Sequence, residues 1–531
     1  MNDHDAAGPS PPPRSGLLWG LLALSGIGAL VPWLTTYWLF DHGSNNLAAT
    51  HILQSLAASP DSVFAQHFTE QLRIAPYSLL NWLLLALSSW VGLVDAHRII
   101  VSALALAMPL TVYFALGRLA PDRRINALLY APLGMTSFSG AGMQGFGLCL
   151  PPMLAAWALV CGPPAPGGRR TAEVATAAML LLIATFAHPA GPVLGAIAIA
   201  LFHGRRLLRP HVLAEAALAL LPACLWLVTA ELASRSLRGG APGYTELVWL
   251  DTSRAVHYFL IAFTVTSKLE AVARIPIFGI LAWGLVRGLA HDRAQTLPFA
   301  RIALCFLALL VLGPAKISDA TVSHRFAVLL VTFACFGVVL PPILGRVRTS
   351  LVVLATALAV AAVQLPFARE ADRAIDDVIA VGAHIPRGAT VLPISFARPD
   401  TMRSYRFYFQ PWSYLVITRD IITPYLPASG ALGQSGHEFR ALAYKRPPSA
   451  EHLPAPIPRH AIDDSCKLLE LSSSEDCAGL RALRYRSYAQ LAATYDRALV
   501  LDPPPEFVAE LSRAMTLDER RGSIWLFRPR P

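Results

Sequence analysis

One carboxylate stands where the first long apolar run of this 531-residue chain gives out. Asp41 opens the stretch Asp41-His42-Gly43-Ser44-Asn45-Asn46, immediately after the apolar segment 17–40. A segment of that length crosses a bilayer as a helix, which puts the carboxylate within about one turn of the membrane surface. There it can take a proton or bind a hydroxyl, and it is equally a helix-end acid in water. His42, His51 and His67 follow in the same loop, either as ligands or as scattered, solvated side chains. No soluble-enzyme pattern accompanies them: the chain has no P-loop, no His-Glu-x-x-His, no paired Cys-x-x-Cys and no dinucleotide glycine pattern after a strand. A glycine-rich run, Ser139-Gly140-Ala141-Gly142-Met143-Gln144-Gly145-Phe146-Gly147, joins two predicted spans. Small residues there let helices pack closely, or let a ligand approach the backbone.

The elements that must position Asp41 are short. The loop 40–77 reads as two amphipathic helices lying on the bilayer. One starts near Asn46. The other starts at Ser59-Pro60-Asp61, where Ser59 takes the N-cap, Pro60 fits the first helical position and Asp61 suits the dipole. Phe64, Phe68 and Leu72 recur every fourth residue as its apolar stripe. Ala75-Pro76-Tyr77 then leads into the apolar run 79–94.

Composition sets the frame for these elements. Hydrophobic residues make up 54% of the chain and charged residues 15%. With a mean hydropathy of +0.48, and apolar runs of spanning length recurring from 17 to 367, this is a multi-span membrane protein. The net charge of +10 is scattered through short loops and the chain's last part, so topology and anionic lipid account for it and nucleic acid does not. Basic residues are nearly all Arg, with Lys only at Lys268, Lys316, Lys445 and Lys467; Ala and Pro are plentiful, a bias that fits a GC-rich bacterial genome. The Pro-rich start, 1–16, reads as a disordered cytoplasmic tail, and 17–40 is too long for a signal-peptide core.

Charge then fixes the topology. Spans are predicted at 17–40, 99–117, 125–138, 146–161, 172–187, 191–203, 211–230, 272–290, 297–313, 325–343 and 350–368, about 11 in all. The Arg-rich turns fall on one side if 77–94 is a juxtamembrane or re-entrant helix rather than a span. With the amino terminus inside, the first loop 41–98, the glycine-rich run, the His188 turn, 231–271, 313–326 and the chain's end then share the outer face. Residues 370–531 alternate a helix at 370–383 with strands at 389–394, 414–418, 498–501 and 523–527, a small α/β domain. Cys466 and Cys477 are its cysteines; in an oxidising compartment they pair, and otherwise they are free thiols.

This layout resembles the GT-C superfamily of membrane glycosyltransferases, which use polyprenyl-phosphate sugars. Asp41 sits at the acidic position after the first span, 46–72 at the juxtamembrane helices, and Ala75-Pro76-Tyr77 before the next apolar segment; the resemblance covers about 17–370. It is closest to a bacterial branch whose first loop carries an Asp with a nearby His or Asn and whose later loop holds a Gly-Phe element. Asp41, Asn45, Asn46 and Gly145-Phe146 match that pattern. Several GT-C families add a second acidic motif in the second external loop that helps hold a divalent metal. The stretch 138–146 has no acid, so a divalent metal stays open without the support of a second acidic motif, and no other cofactor is predicted.

The resemblance implies glycosyl transfer by one carboxylate. Asp41 would accept the acceptor hydroxyl's proton as that oxygen attacks the anomeric carbon, with a prenyl phosphate leaving from the opposite face. A leaving phosphate needs cationic partners more than a general acid. Arg254, His257, Lys268, Lys316, His324 and Arg325 are the candidates, with His42, Asn45 and Asn46 beside the carboxylate. Each cation also reads as a snorkelling or interface-anchoring charge.

The expectation is a mainly α polytopic membrane helix bundle, 17–369, followed by a small extracytoplasmic α/β domain, 370–531. It sits in a bacterial inner membrane and moves a hexose or pentose from a polyprenyl-phosphate-linked sugar to an unidentified acceptor. Two other readings stay open. A transporter or flippase would use the same apolar spans, and a non-enzymatic envelope assembly protein would not need Asp41.

Overall fold

Helix length and apolar composition divide this computed structural model into a bundle and a sheet. It describes residues 14–38, 43–70, 76–140, 143–164, 167, 169–237, 247–249, 255–317, 320–341, 344–396, 411–424, 426, 442–445 and 474–531. Asp41, His42, Arg254 and Cys466 lie outside these residues, as do Leu72, Ala141 and Gly142 of the predicted patterns, and Lys316 is described by its backbone alone. Among the described residues eight helices are long and apolar enough to cross a membrane: Gly16–Leu34, Leu93–Leu119, Gln144–Cys161, Arg170–Ala187, Ala190–Leu208, Pro210–Ala230, Arg293–Leu312 and Val347–Gly382. Ser78–Val91, Ile275–His291 and Ser323–Gly337 are shorter apolar helices.

The single span expected at 125–138 is corrected. That passage is a turn at Pro121–Asn126, short helices at Ala127–Tyr130 and Ser137–Gly140, and a turn at Ala131–Leu133 between them. Pro132 removes a backbone donor and breaks the ladder. Irregular backbone survives at membrane depth only inside protein, and residues 126–140 are all buried. The freed carbonyls find a partner in Arg274, whose Nε donates to the Pro132 oxygen at 2.9 Å and whose Nη2 donates to that of Met135 at 2.7 Å.

Helix Ser78–Val91 is about 21 Å long, short of a hydrocarbon core of about 30 Å. Its far end touches the first loop, where Gln54 Nε2 donates to Ser88 Oγ at 2.7 Å, and the helix also packs on Leu93–Leu119, Gln144–Cys161 and Arg170–Ala187. Gly92, at φ 80°, turns the chain into Leu93–Leu119. Ion pairs join some of the Arg-rich turns to neighbouring helices: Arg118 pairs with Glu173 at 2.8 Å, Arg170 with Glu215 at 2.6 Å, and Arg123 with Asp292.

At the other end the helix Arg346–Gly382, about 55 Å long, leaves the bundle and runs into a four-stranded mixed sheet. Val391–Ser395 lies parallel to Arg497–Leu501, which pairs antiparallel with Ile524–Pro529, itself antiparallel to Met515–Arg521. The strand expected at 414–418 is instead the helix Ser413–Arg419. Its residues carry β-propensity, but tertiary packing decides: Tyr414, Leu415 and Val416 are all buried against the helices Gly43–Ala58 and Arg346–Gly382.

The first loop also departs from expectation. Its first helix forms as Gly43–Ala58, but the helix expected from Ser59 does not. Ser59 shapes a turn, Val63–Gln66 is one 3-10 turn, and Phe68–Glu70 is a strand paired antiparallel with Leu442–Tyr444. Phe64 and Phe68 are buried as their stripe requires, yet they join the core of the sheet rather than face a bilayer.

Candidate functional site

The stretch that carries Asp41 and His42 is bracketed by fixed backbone. On its amino-terminal side, Asp372 accepts the N–H groups of Thr36 at 2.6 Å and Tyr37 at 2.7 Å. Arg98 donates to the carbonyl oxygen of Thr35 at 2.5 Å and also to that of Thr36, while Asp95 holds its other nitrogen at 2.8 Å. Burial, and then Asp376, push the Tyr37 phenol above its usual range, so it stays protonated. On the carboxyl-terminal side the helix Gly43–Ala58 starts with Ser44 and Asn45 buried, and Ser413 Oγ donates to Asn45 Oδ1. One long helix, one bundle helix and the terminal part of the chain therefore set where the carboxylate's segment begins and ends.

An array of rings that ends in charge starts at Tyr77. Tyr77 meets His188 edge-on with centroids 4.8 Å apart, and His188 meets Phe146 edge-on at 5.3 Å. Phe146 lies 4.7 Å from Phe138, which stacks on His324 at 4.9 Å. The Arg325 guanidinium carbon sits 5.4 Å from the Phe146 ring centroid, and His324 Nε2 is 3.2 Å from the Met143 sulfur. Arg325 is partly buried, and its Nε is shielded from solvent without a hydrogen-bond partner among the described residues. No described carboxylate pairs with it. It lies in the first turn of Ser323–Gly337, where the helix dipole adds positive potential.

Local sequence explains each position. His188 precedes Pro189, which restricts it to extended backbone, φ −162° and ψ 132°, and ends the helix Arg170–Ala187. Its Nδ1 then accepts the Ala190 N–H at 3.1 Å, the first N–H of the next helix. Burial, with the Arg325 guanidinium second, holds this imidazole well below its usual range. Gly145 brings the glycine-rich run against the turn: a Cβ there would meet the Ala187 oxygen at 3.1 Å. At Gly147 a Cβ would meet the Phe138 oxygen at 2.7 Å, so close packing accounts for the glycines that are described. Tyr77 is held at φ 68°, a backbone conformation that concentrates at functional sites.

The predicted residues divide. His324 and Arg325 join the ring array. His257 lies on the helix Ala255–Ala262, which packs on the helix that carries them, and Lys268 flanks the start of Leu269–Ala273. The Lys316 backbone forms the strand Pro314–Ile317, paired with Leu247–Trp249. Asn45 is committed to Ser413, and the Asn46 carbonyl accepts from Thr50 Oγ1 at 2.8 Å. His51 is not a scattered solvated side chain: its Nε2 lies 2.9 Å from Asp420 Oδ1. Cys477 is disulfide-bonded and the five other described cysteines are free. Sequence reasoning did not single out His188 or Phe138 as site residues; a His-Pro pair at a span boundary is the one signal that could have found the first.

No family model matches the sequence, and no curated protein matches it. Among solved structures the chain is similar to the crystal structure of ArnT from Cupriavidus metallidurans bound to undecaprenyl phosphate, a GT-C glycosyltransferase. The two share 11% sequence identity and superpose with a TM-score of 0.55 over 97% of this chain and 98% of that one. Over nearly its whole length, the chain therefore shares the fold of that protein.

Proposed function

We propose that this protein is a membrane glycosyltransferase that moves a sugar from a polyprenyl-phosphate carrier to an acceptor at the outer face of a bacterial inner membrane. The observation that carries the reading is Arg325: a partly buried guanidinium with no described carboxylate partner, at the first-loop end of a GT-C fold. Leaving such a charge unpaired is unfavourable, and an anionic head group offsets it. In the transfer, the acceptor oxygen bonds to the anomeric carbon and its proton passes to the Asp41 carboxylate. The bond from the anomeric carbon to the phosphate oxygen breaks, and its electron pair leaves with the phosphate. Arg325, with Lys316 and His324 near it in sequence, stabilises that charge.

Binding is the first test, with undecaprenyl phosphate and undecaprenol compared on the purified protein in a lipid nanodisc. We expect the phosphate to be preferred and Arg325→Ala to lose about ten-fold or more of that preference, the size of one charge-assisted hydrogen bond. Equal affinity for the two lipids would remove the proposal. Where turnover is measured with a polyprenyl-phosphate sugar, Asp41→Asn lowers it by about 100-fold or more with lipid binding retained.

A further inference from the structure

We infer that His188 is a second anion-binding residue of this site, a neutral N–H donor that meets a phosphate oxygen of the lipid head group alongside Arg325. The inference rests on the polyprenyl-phosphate reading and adds a residue that reading does not require.

Three observations on one imidazole carry it. First, its tautomer is fixed by structure: Nδ1 accepts the Ala190 N–H, so Nδ1 is unprotonated and the ring hydrogen sits on Nε2. Second, that Nε2–H is buried in a residue only 4% exposed, and it has no hydrogen-bond partner among the described residues. Buried donors are almost always satisfied, so an orphan of this kind marks a place for a group the protein chain does not supply. Third, its surroundings select the sign of that group. The rings of Tyr77 and Phe146 flank the imidazole, and Phe146 is also the ring beside which the Arg325 guanidinium lies. Arg325 is close enough to act on the imidazole electrostatically, and no described carboxylate balances it. A donor and a cation converge, and the missing partner is an anion with several acceptor oxygens. A phosphate ester fits: one oxygen for the guanidinium fork, another for the imidazole N–H. The Pro189 turn and the glycine-rich run, pressed together at Gly145, hold the donor without help from the ligand.

Two substitutions separate binding from architecture. An Asn side-chain oxygen accepts the N–H two residues on, so His188→Asn keeps the bond to Ala190 while removing the Nε2–H, and His188→Ala removes both. With nanodisc-embedded protein, we expect both variants to bind undecaprenyl phosphate about ten-fold or more weakly and undecaprenol as the wild type does. Thermal stability should fall in His188→Ala and stay near wild type in His188→Asn. Inorganic phosphate added to the aqueous phase should leave lipid binding unchanged; displacement by it would overturn the lipid as the source of the anion. If His188→Asn keeps wild-type affinity while Arg325→Ala loses it, the role of His188 falls and the transferase reading stands. If His188→Asn weakens both lipids equally, the residue is structural and the inference is wrong. If wild-type protein itself does not distinguish undecaprenyl phosphate from undecaprenol, both fall together.

Discussion

A neutral imidazole and a guanidinium share Phe146 as a neighbour, and the difference in their charge sets a response to pH. His188 titrates well below the ordinary histidine value of 6.5 because it is buried first and faces Arg325 second. Between the two values the unfolded chain binds a proton that the folded chain refuses. Stability is therefore fully present above about pH 6.5 and is lost as pH falls below it. The thermal midpoint of the nanodisc-embedded protein should drop between about pH 7 and pH 5, and the drop should be smaller in His188→Asn, since other histidines contribute equally to both proteins. Equal drops would mean that His188 protonates as freely when folded as when unfolded. Part of this site was legible in the chain. Arg325 and His324 stand at the edge of an apolar run, where a charge is conspicuous. His188 was not, because its neighbours Tyr77, Phe146 and Arg325 come from remote parts of the chain and only the packed bundle unites them. Its orphaned hydrogen also depends on the rotamer that accepts the Ala190 N–H, and no spacing rule encodes that.

Between elements, the bundle depends on one buried polar knot. Glu270, Arg274 and Gln364 are each 0% exposed. The Glu270 carboxylate accepts the backbone N–H groups of Val265 at 3.1 Å, Thr266 at 2.5 Å and Ser267 at 3.0 Å, and the Gln364 amide at 2.8 Å. Arg274, 3.5 Å away, caps the carbonyls of Pro132, Phe263 and Met135. The knot ties the broken passage after Asn126 and the loop before Leu269–Ala273 to the long helix Arg346–Gly382. Removing one partner strands the other's charge, so Glu270→Ala should lose about 3–5 kcal/mol and Gln364→Ala about 1–3 kcal/mol by thermal or denaturant unfolding. A Glu270→Ala protein within about 0.5 kcal/mol of wild type would show that the knot is not what holds these loops. The same region marks where sequence patterns stopped predicting elements. Long spans were readable because lipid tolerates only continuous apolar helices, and the shielded passage at 126–140 escapes that constraint. Likewise the stripe Phe64 and Phe68 identified buried residues correctly, but the helix period failed because a strand from 442–445 satisfies that backbone instead.

At the scale of the whole molecule, the first loop and the terminal sheet form one core. Ile52, Leu53, Phe64 and Phe68 from the loop pack with Val378 and Val381 at the end of the long helix, and with Val391, Leu415, Leu499 and Leu526 beyond it. Polar contacts cross the same boundary: His51 to Asp420 at 2.9 Å, Asn45 to Ser413, and Lys445 Nζ to the Ala65 oxygen at 2.8 Å. The helix that follows Asp41 in sequence, Gly43–Ala58, is thus held partly by residues more than 300 positions later, as separations of 369 and 368 residues in two of these contacts record. Deleting 384–531 would expose six large apolar side chains of the loop and helix end. At about 1.5–3 kcal/mol each, their exposure costs on the order of 10 kcal/mol, comparable with the stability of a whole domain. The truncated protein should therefore aggregate or elute as a broad peak in size-exclusion chromatography. A milder lesion, Leu526→Ala, should lower stability by about 2–5 kcal/mol and weaken binding of undecaprenyl phosphate without touching the ring array. A truncated chain that stays monodisperse and binds the lipid as tightly as the full chain would show that the bundle orders its own first loop. The sheet would then be an appendage rather than the wall against which that loop is built.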